Sequence, residues 1–455
     1  MRAFFEPDTV ALIGASSTPG RSGHHLFKNI YSSYGNDFYP VNPGIDSING
    51  VKCYPTILDV PADIDLAVVF VPAKIIPQIL KRCVEKGVKH VLIESSGFTE
   101  TGEAGRVIND QCLEIARNGG IRIWGPNCMG LLNISRKKIL SFMSGPWEEQ
   151  FFPGPISLIV QSGNLTAGFL LSILNDTPFG ISKLCSIGNK MDIDESDVLE
   201  YLIDDPETGV VGLYLESINR GRKLFELCKS TEKQIIVLKS GSTEMGADAA
   251  MSHTASLAQN HLIVEKALQQ AGAIVVDDMN DLVDIARSFS VVPVRKKTSG
   301  RIGIASYSGG TGVVTTDSLI ENGMQLATFS DSTINRMKGL CPDWMTPSNP
   351  CDMYPAIEIN GFRNVTQNCL EAILSDPGID GAFLHLWQWS ETEPLFDYDK
   401  IGEMIREYEK HLVVWLLAVD GISPKVRKDI EGRGILVVNN IKMGVRALEA
   451  LTLHK

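Results

Sequence analysis

The stretch ISLIVQSGNLTAGFLLSIL, residues 156–174, reads as an apolar strand, a Ser-Gly-Asn turn and the opening of a helix. The same three-part pattern recurs as VALIGASSTPGRSG (10–23) and RIGIASYSGGTGVVTTDSLI (301–320). Around these lie further short apolar runs, among them LAVVFVP (66–72), HVLIESSG (90–97), VVGLYLE (210–216), QIIVLKSG (234–241), GAFLHLW (381–387) and HLVVWLLAV (411–419). Amphipathic stretches of helical period separate them. Strands alternating with helices predict parallel sheets covered by helices on both faces. Two Pro- and Gly-bearing segments, SGPWEEQFFPGP (144–155) and VVPVRKKTSG (291–300), read as linkers. The expected fold class is therefore α/β, with three doubly wound parallel-sheet domains at 1–135, 150–292 and 300–455.

Bulk properties narrow the function. The chain has 455 residues, 44% hydrophobic and 21% charged, with a net charge of −12. That balance suits a globular protein of several domains and argues against nucleic-acid binding as its main task. Anionic ligands stay possible, because backbone N–H groups at a helix start bind anions without any lysine. The nine cysteines are dispersed, with neither a C-x-x-C pair nor metal-ligand spacing, so they read as reduced thiols. The N-terminus enters a strand-like run with no signal-peptide pattern, and no apolar run is long enough to span a bilayer. A cytoplasmic location and no metal site are expected.

The first turn imitates a dinucleotide fingerprint but departs from it. Gly14, Gly20 and Gly23 surround the turn, while Ser16 stands where G-x-G-x-x-G requires glycine. After the second strand, Asn42-Pro43 replaces the carboxylate that would hold ribose hydroxyls of NAD. Such a carboxylate would repel a ribose 3′-phosphate, and its absence suits coenzyme A. Ser16, Ser17, Thr18 and Arg21 offer donors for phosphate. FVPA (70–73), ESSGF (94–98) and GPNCMG (125–130) fall at further strand ends, where open parallel sheets bind ligands.

The ordered set VALIGAS, PVNP, GVKCYP, FVPA, ESSGF, GPNCMG, VQSGN, IGNKMDIDESDVLEYLIDDPET, VLKSG and SHTASLA resembles the α subunit of ADP-forming acyl-CoA synthetases, relatives of succinyl-CoA synthetase. The resemblance covers residues 1–290 in unbroken order, and 300–455 resembles the third domain of that subunit. It implies an N-terminal Rossmann-like CoA-binding domain followed by two flavodoxin-like domains. It also implies the interconversion of acyl-CoA, phosphate and ADP with carboxylic acid, CoA and ATP, through an acyl phosphate and a phosphohistidine. Two departures stand out: Gly44 follows VNP, where a basic residue is common, and Ala255 replaces the glycine of S-H-T-G.

On this reading His253, in a run of small residues after QIIVLKSG, carries the phosphoryl group, and Glu216, at the end of VVGLYLE, holds the imidazole N–H. Two helix starts, Ser162-Gly163-Asn164 and Gly309-Gly310-Thr311, are the candidate phosphate cradles. The candidate coenzyme A contacts are Gly14, Ser16, Ser17, Arg21, Val41, Asn42, Pro43, Val71, Pro72, Ser96 and Gly97. Asn127 is the candidate for the acyl carbonyl, since its amide can donate to an oxyanion. Lys239 reads as a solvated strand-end lysine, His385 as a packed strand histidine, DIDESD (192–197) as helix caps and NPCDM (349–353) as a turn. No stretch resembles the ATP-grasp module that the family uses for ADP and Mg²⁺. The expectation is a separate ATP-grasp β subunit in an αβ or α₂β₂ complex, working on a small carboxylic acid or its acyl-CoA, with no nucleic acid or membrane partner. Two other functions stay open: a CoA-binding regulatory module without catalysis, and an NAD-dependent oxidoreductase.

Overall fold

A computed structural model describes residues 1–144, 151–163, 179–243, 245–246, 260–388, 392–418 and 421–454. The chain divides into two compact units, Met1–Leu282 and Val283–Lys455.

The first unit opens with strands β1 (Val10–Ile13) and β2 (Phe38–Val41), a small hairpin of β3 (Ser47–Ile48) and β4 (Val51–Lys52), then β5 (Leu66–Val69), β6 (His90–Ile93) and β7 (Arg122–Trp124). These form a parallel five-stranded sheet in the order β2-β1-β5-β6-β7. β1 and β5 are buried along their whole length, which explains their unbroken apolar sequence. The helix Ile76–Lys86 on one flank shows how local chemistry sets the ends. Proline occupies its first turn, and Gly87 ends it with a left-handed φ of 88°.

The second sheet holds β8 (Leu131–Asn133), β9 (Lys138–Leu140), β10 (Pro153–Val160), β11 (Ile181–Ser186), β12 (Val210–Leu215), β13 (Gln234–Lys239) and β14 (Ile274–Val276). Its order is β14-β13-β12-β10-β11-β8-β9, with β8 and β9 antiparallel. Leu131–Leu140 thus belongs to the edge of this sheet, and Pro153–Pro155, expected as linker, is the start of β10. Both sheets of the unit share one core. Trp124 is its largest side chain, packed on Phe4 and Phe5 with Nε1 donating to Ser186 O at 2.7 Å. The acidic run forms the expected cap: Asp194 accepts from the N–H groups of Ser196 and Asp197 at the start of the helix Glu195–Asp204.

The second unit contains β15 (Arg301–Ser306), β16 (Gln325–Leu326), β17 (Cys351–Asp352), β18 (Gly381–Trp387), β19 (His411–Leu417) and β20 (Leu436–Val438). Its sheet runs β16-β15-β18-β19-β20, with β17 also paired to β15. NPCDM is therefore more than a turn. Asn349 Oδ1 accepts from Ile304 N at 2.9 Å, and Nδ2 donates to Ile302 O and Ala327 O at 2.9 and 2.8 Å. The amide stitches three loop and strand segments together, a role no local turn signal announces.

Numbering the parallel strands of each sheet from one, with the short side strand β17 left out, all three sheets have the order 2-1-3-4-5. The recurring strand–Gly/Ser–helix pattern is strand 1 of each. Ligand crevices in such sheets lie beyond the carboxyl ends of strands 1 and 3, where the winding direction reverses.

Candidate functional site

At the first of these crossing points the ends of β1, β2 and β5 enclose a cavity of about 190 Å³, lined by Gly14, Val41, Asn42, Pro43 and Val71 together with residues of the helix Ile76–Lys86. Gly14 has a φ of +102°, and a Cβ there would lie 2.1 Å from Phe70 O. Only glycine lets the two strand ends approach this closely. Asn42 locks the opposite wall: Nδ2 donates to Ala15 O at 2.8 Å and Oδ1 accepts from Gly44 N at 2.9 Å. Among the described residues lining the cavity, Arg82 is the one with an ionised side chain. Sequence reasoning passed over it, because an arginine inside an amphipathic helix gives no local signal.

The carboxyl ends of the first and second sheets enclose a larger cavity of about 290 Å³. Phe70, Glu94, Ser96, Asn127, Met129 and Phe142 line one side; Gln161, Ser162, Gly163, Gly188, Asn189 and Glu216 line the other. Gln161 Oε1 accepts from the N–H groups of Glu216 and Ser217 at 2.8 and 3.1 Å, joining the ends of β10 and β12. Lys190, itself at a φ of 57°, donates to Glu195 Oε2 at 2.9 Å and to Ser217 O at 2.6 Å. Glu195 Oε1 in turn accepts from Asn219 N at 3.0 Å. The segment that follows Glu216 is thus clamped from two directions. Glu216 is 8% exposed, and Tyr214 Oη lies 3.5 Å from its Oε1.

Asn127 adopts a left-handed φ of 56°, with its N–H donating to Ser95 O at 2.9 Å and Nδ2 donating to Asn189 Oδ1 at 3.2 Å. Asn189 Nδ2 donates to Glu100 Oε2 at 2.5 Å. The GPNCMG and IGNK loops are therefore one hydrogen-bonded assembly, holding Asn127 at the cavity wall. Two residues differ from their sequence reading or escaped it. Lys239 is buried and donates to Ser240 O at 2.7 Å; burial and then the Lys190 ammonium lower its pKa, and Glu216 acts the other way. Glu94 is buried too, and desolvation holds its carboxyl well above the usual carboxylate range. A glutamate directly after the apolar run H-V-L-I was the visible sign.

The structure thus brings Gly14, Val41, Asn42, Pro43 and Val71 together at one cavity, and Ser96, Asn127, Ser162, Gly163 and Glu216 at the other. Ser16, Ser17, Arg21, Pro72 and Gly97 line neither. Ser16, Ser17 and Arg21 form the turn before the helix Ser22–Tyr34, with Ser16 Oγ accepting from Thr18 N at 3.2 Å. Asn164, His253 and Ala255 lie outside the described residues.

In the second unit the helix Gly309–Glu321 starts at an exposed Gly309-Gly310 pair. Ser306 Oγ accepts from Ser308 N at 3.1 Å and lies 2.7 Å from Thr311 Oγ1 and 3.2 Å from His385 Nδ1. A Cβ on Gly309 would lie 2.9 Å from Asp352 Oδ2, so a carboxylate already stands at this helix start. His385 packs on Trp415 as expected of a core histidine, and burial lowers its pKa to about 3.

Known proteins carry the same modules. Residues 8–134 match the CoA binding domain, and residues 153–289 match the succinyl-CoA ligase like flavodoxin domain. The alpha subunit of acetate–CoA ligase [ADP-forming] II of Pyrococcus furiosus is 36% identical over 437 residues, which are 95% of this chain and 93% of that one. This chain belongs to the ADP-forming acetate–CoA ligase family. Acetate–CoA ligase [ADP-forming] II of Archaeoglobus fulgidus is also 36% identical over 455 residues; these cover 99% of this ligase-family chain but 66% of that longer protein. Among solved structures, dinucleotide forming acetyl-coenzyme A synthetase 1 of Ca. Korarchaeum cryptofilum, in complex with phosphate and ADP, superposes with a TM-score of 0.81 at 30% identity. That match covers 99% of this ligase-family chain and 95% of the other.

Proposed function

We propose that this chain is the acyl-handling α subunit of an ADP-forming acyl-CoA synthetase. It interconverts acyl-CoA and phosphate with acyl phosphate and CoA. It then passes the phosphoryl group through His253 to ADP, releasing the carboxylic acid and forming ATP. The observation that carries this reading is the larger cavity, where the carboxyl ends of two sheets bring Ser96, Asn127, Ser162, Gly163 and Glu216 to one space.

Coenzyme A lies with its nucleotide end in the smaller cavity and its thioester in the larger. Phe70 lines the larger cavity and Val71 the smaller, so the two chambers flank the end of one strand. The smaller cavity has no carboxylate among its described lining residues, which suits a ribose 3′-phosphate; Arg82 supplies the cation that Gly44 does not. Asn127 donates to the thioester oxygen as charge develops there, and the helix start at Ser162-Gly163, continued by Asn164, receives the attacking phosphate. Glu216 accepts from one ring nitrogen of His253 so that the other attacks phosphorus. Gly309, Gly310 and Thr311 are assigned to the second phosphate station. Exposed Ser17 and Arg21 with Ser16, Pro72 and Gly97 would close over the ligand from the surface turns.

Among the described residues no cluster of three His, Cys, Asp or Glu side chains could hold a metal ion. Mg²⁺ is assigned, with the nucleotide, to a separate ATP-grasp β subunit, as the family resemblance implies. The Pyrococcus relative carries the words "subunit alpha" in its name, which supports a partner; longer single-chain relatives support a fused arrangement in other members. No described helix is long and apolar enough to cross a membrane, and the nine free cysteines suit a reducing compartment, which we take to be the cytoplasm.

The test is to incubate the chain with acetyl-CoA and radiolabelled phosphate, with and without an ATP-grasp partner. Acid-labile, alkali-stable protein label that disappears in His253→Ala is expected. Tight CoA binding with no label would leave a regulatory module instead, and reduction of a nicotinamide would point to an oxidoreductase. ATP formation by the chain alone would remove the separate subunit.

A further inference from the structure

Glu94 stands at the end of β6 as the one buried carboxyl on the first-sheet side of the larger cavity. It is 3% exposed. Its Oε2 accepts from Phe142 N at 3.3 Å, whereas Oε1 has no hydrogen-bond partner among the described residues. No lysine, arginine or histidine is among the described residues lining this cavity. Room for it is built in: Gly130 has a φ of +77°, and a Cβ there would meet Glu94 Oε1 at 2.6 Å. Phe70, Met129 and Phe142 supply the apolar part of the cavity wall.

Desolvation raises the pKa of a carboxyl so placed and so favours its neutral form. In that form, with Oε2 accepting from Phe142 N, the O–H falls to Oε1, a buried donor with no acceptor among the described residues. Native chains rarely leave such a donor unsatisfied, and the ligand is the natural source of the missing acceptor.

We propose that Glu94 determines acyl specificity, selecting short acyl chains that carry a hydroxyl or carbonyl oxygen over plain alkyl chains of equal length. The inference rests on the reading of this cavity as the acyl-CoA crevice. A site built to hydrogen-bond a substrate oxygen rejects the analogue lacking it far more strongly than an apolar pocket rejects a missing methylene.

The test is calorimetric binding of CoA thioesters to the full chain and to Glu94→Gln and Glu94→Leu. The ligands are free CoA, butyryl-CoA, its 3-hydroxy and 4-hydroxy derivatives and its 3-oxo derivative. The wild-type chain is expected to bind at least one oxygen-bearing thioester about tenfold tighter than butyryl-CoA. Glu94→Gln, whose amide still donates, keeps the preference, and Glu94→Leu brings it within about twofold of unity. Free CoA should bind all three proteins alike. No preference in wild type, or a preference intact in Glu94→Leu, overturns the proposal while leaving the synthetase reading standing. Failure of wild type to bind free CoA or any thioester removes the synthetase reading itself. Should Glu94→Leu misfold, a pH series decides. The preference of wild type falls as the carboxyl ionises, while that of Glu94→Gln does not. The cavity's other titratable groups, Cys128 and Glu216, are present in both, so parallel loss in Glu94→Gln overturns the proposal.

Discussion

Replacing Lys190 by methionine removes an ammonium from the interior while nearly keeping its volume. The Lys190 and Glu195 side chains are 1% and 0% exposed, and their pair is 2.9 Å long. Breaking a buried pair by deleting one partner costs about 3–5 kcal/mol, because the surviving charge is left desolvated. Here the Glu195 carboxylate would keep the Asn219 N–H at 3.0 Å, and the Ser217 carbonyl would lose its 2.6 Å donor. At about 2–4 °C per kcal/mol for a large domain, the melting temperature should drop by about 6–20 °C. The cycle is completed by Glu195→Gln and the double variant, with unfolding free energies from urea titration. Once the carboxylate is gone the lysine has little to neutralise, so the double variant should recover about 2 kcal/mol relative to additivity. His253 labelling should fall in Lys190→Met beyond any loss of folded protein, since the segment after Glu216 loses its clamp. A single variant within about 0.5 kcal/mol of wild type, or a strictly additive double variant, would refute the claim that this pair fixes the loop.

Three further outcomes are expected. Gly14→Ala forces a Cβ against Phe70 O, so stability should fall by about 1–3 kcal/mol and CoA affinity at least about tenfold, read by urea unfolding and calorimetry. Unchanged CoA binding would mean the strand ends do not shape that cavity. Arg82→Ala should lose about 10- to 150-fold in affinity for CoA and nothing for 3′-dephospho-CoA, as expected for one charge-assisted phosphate contact of about 1.5–3 kcal/mol; equal losses for both ligands would remove the arginine from the phosphate. His385 has its pKa lowered from 6.5 to about 3, so the unfolded chain binds the extra proton first as pH falls. The stabilising contribution is complete above pH 6.5 and erodes below it, reaching about 2 kcal/mol of loss by pH 5. His385→Phe should flatten the acid limb of the second unit's stability, followed by hydrogen exchange; an identical limb in the variant would contradict the assignment.

Much of the architecture was legible from the chain itself, because the recurring ISLIV-QSG type of segment encodes both strand period and turn chemistry within a dozen residues. Each of those repeats supplies strand 1 of its sheet. Gly14, Asn42 and Asn127 are singled out by their motifs: a glycine-bearing turn, the absent acid after the second strand, and a side-chain amide at a strand end. What escaped was whatever depends on a distant partner. Lys239 looks solvated at a strand end, yet neighbouring strands bury it; Lys190 looks like one more charge in an acidic segment, yet it reaches Ser217 across the sheet. Asn349 sits in a stretch whose proline suggests only a turn, while its amide bonds to strands far away in sequence. Glu94 was quoted within a motif and not singled out: its place directly after an apolar run hints at burial, but the desolvation itself is a property of the packed surroundings.

Phe70 and Val71 are consecutive residues, one facing each chamber. A single peptide unit therefore acts as the fulcrum between the two pockets, and neither can be reshaped without tilting the other. Fragments of a long ligand, offered separately as a nucleoside phosphate and a short thioester, should then sense each other's presence across a partition one residue thick.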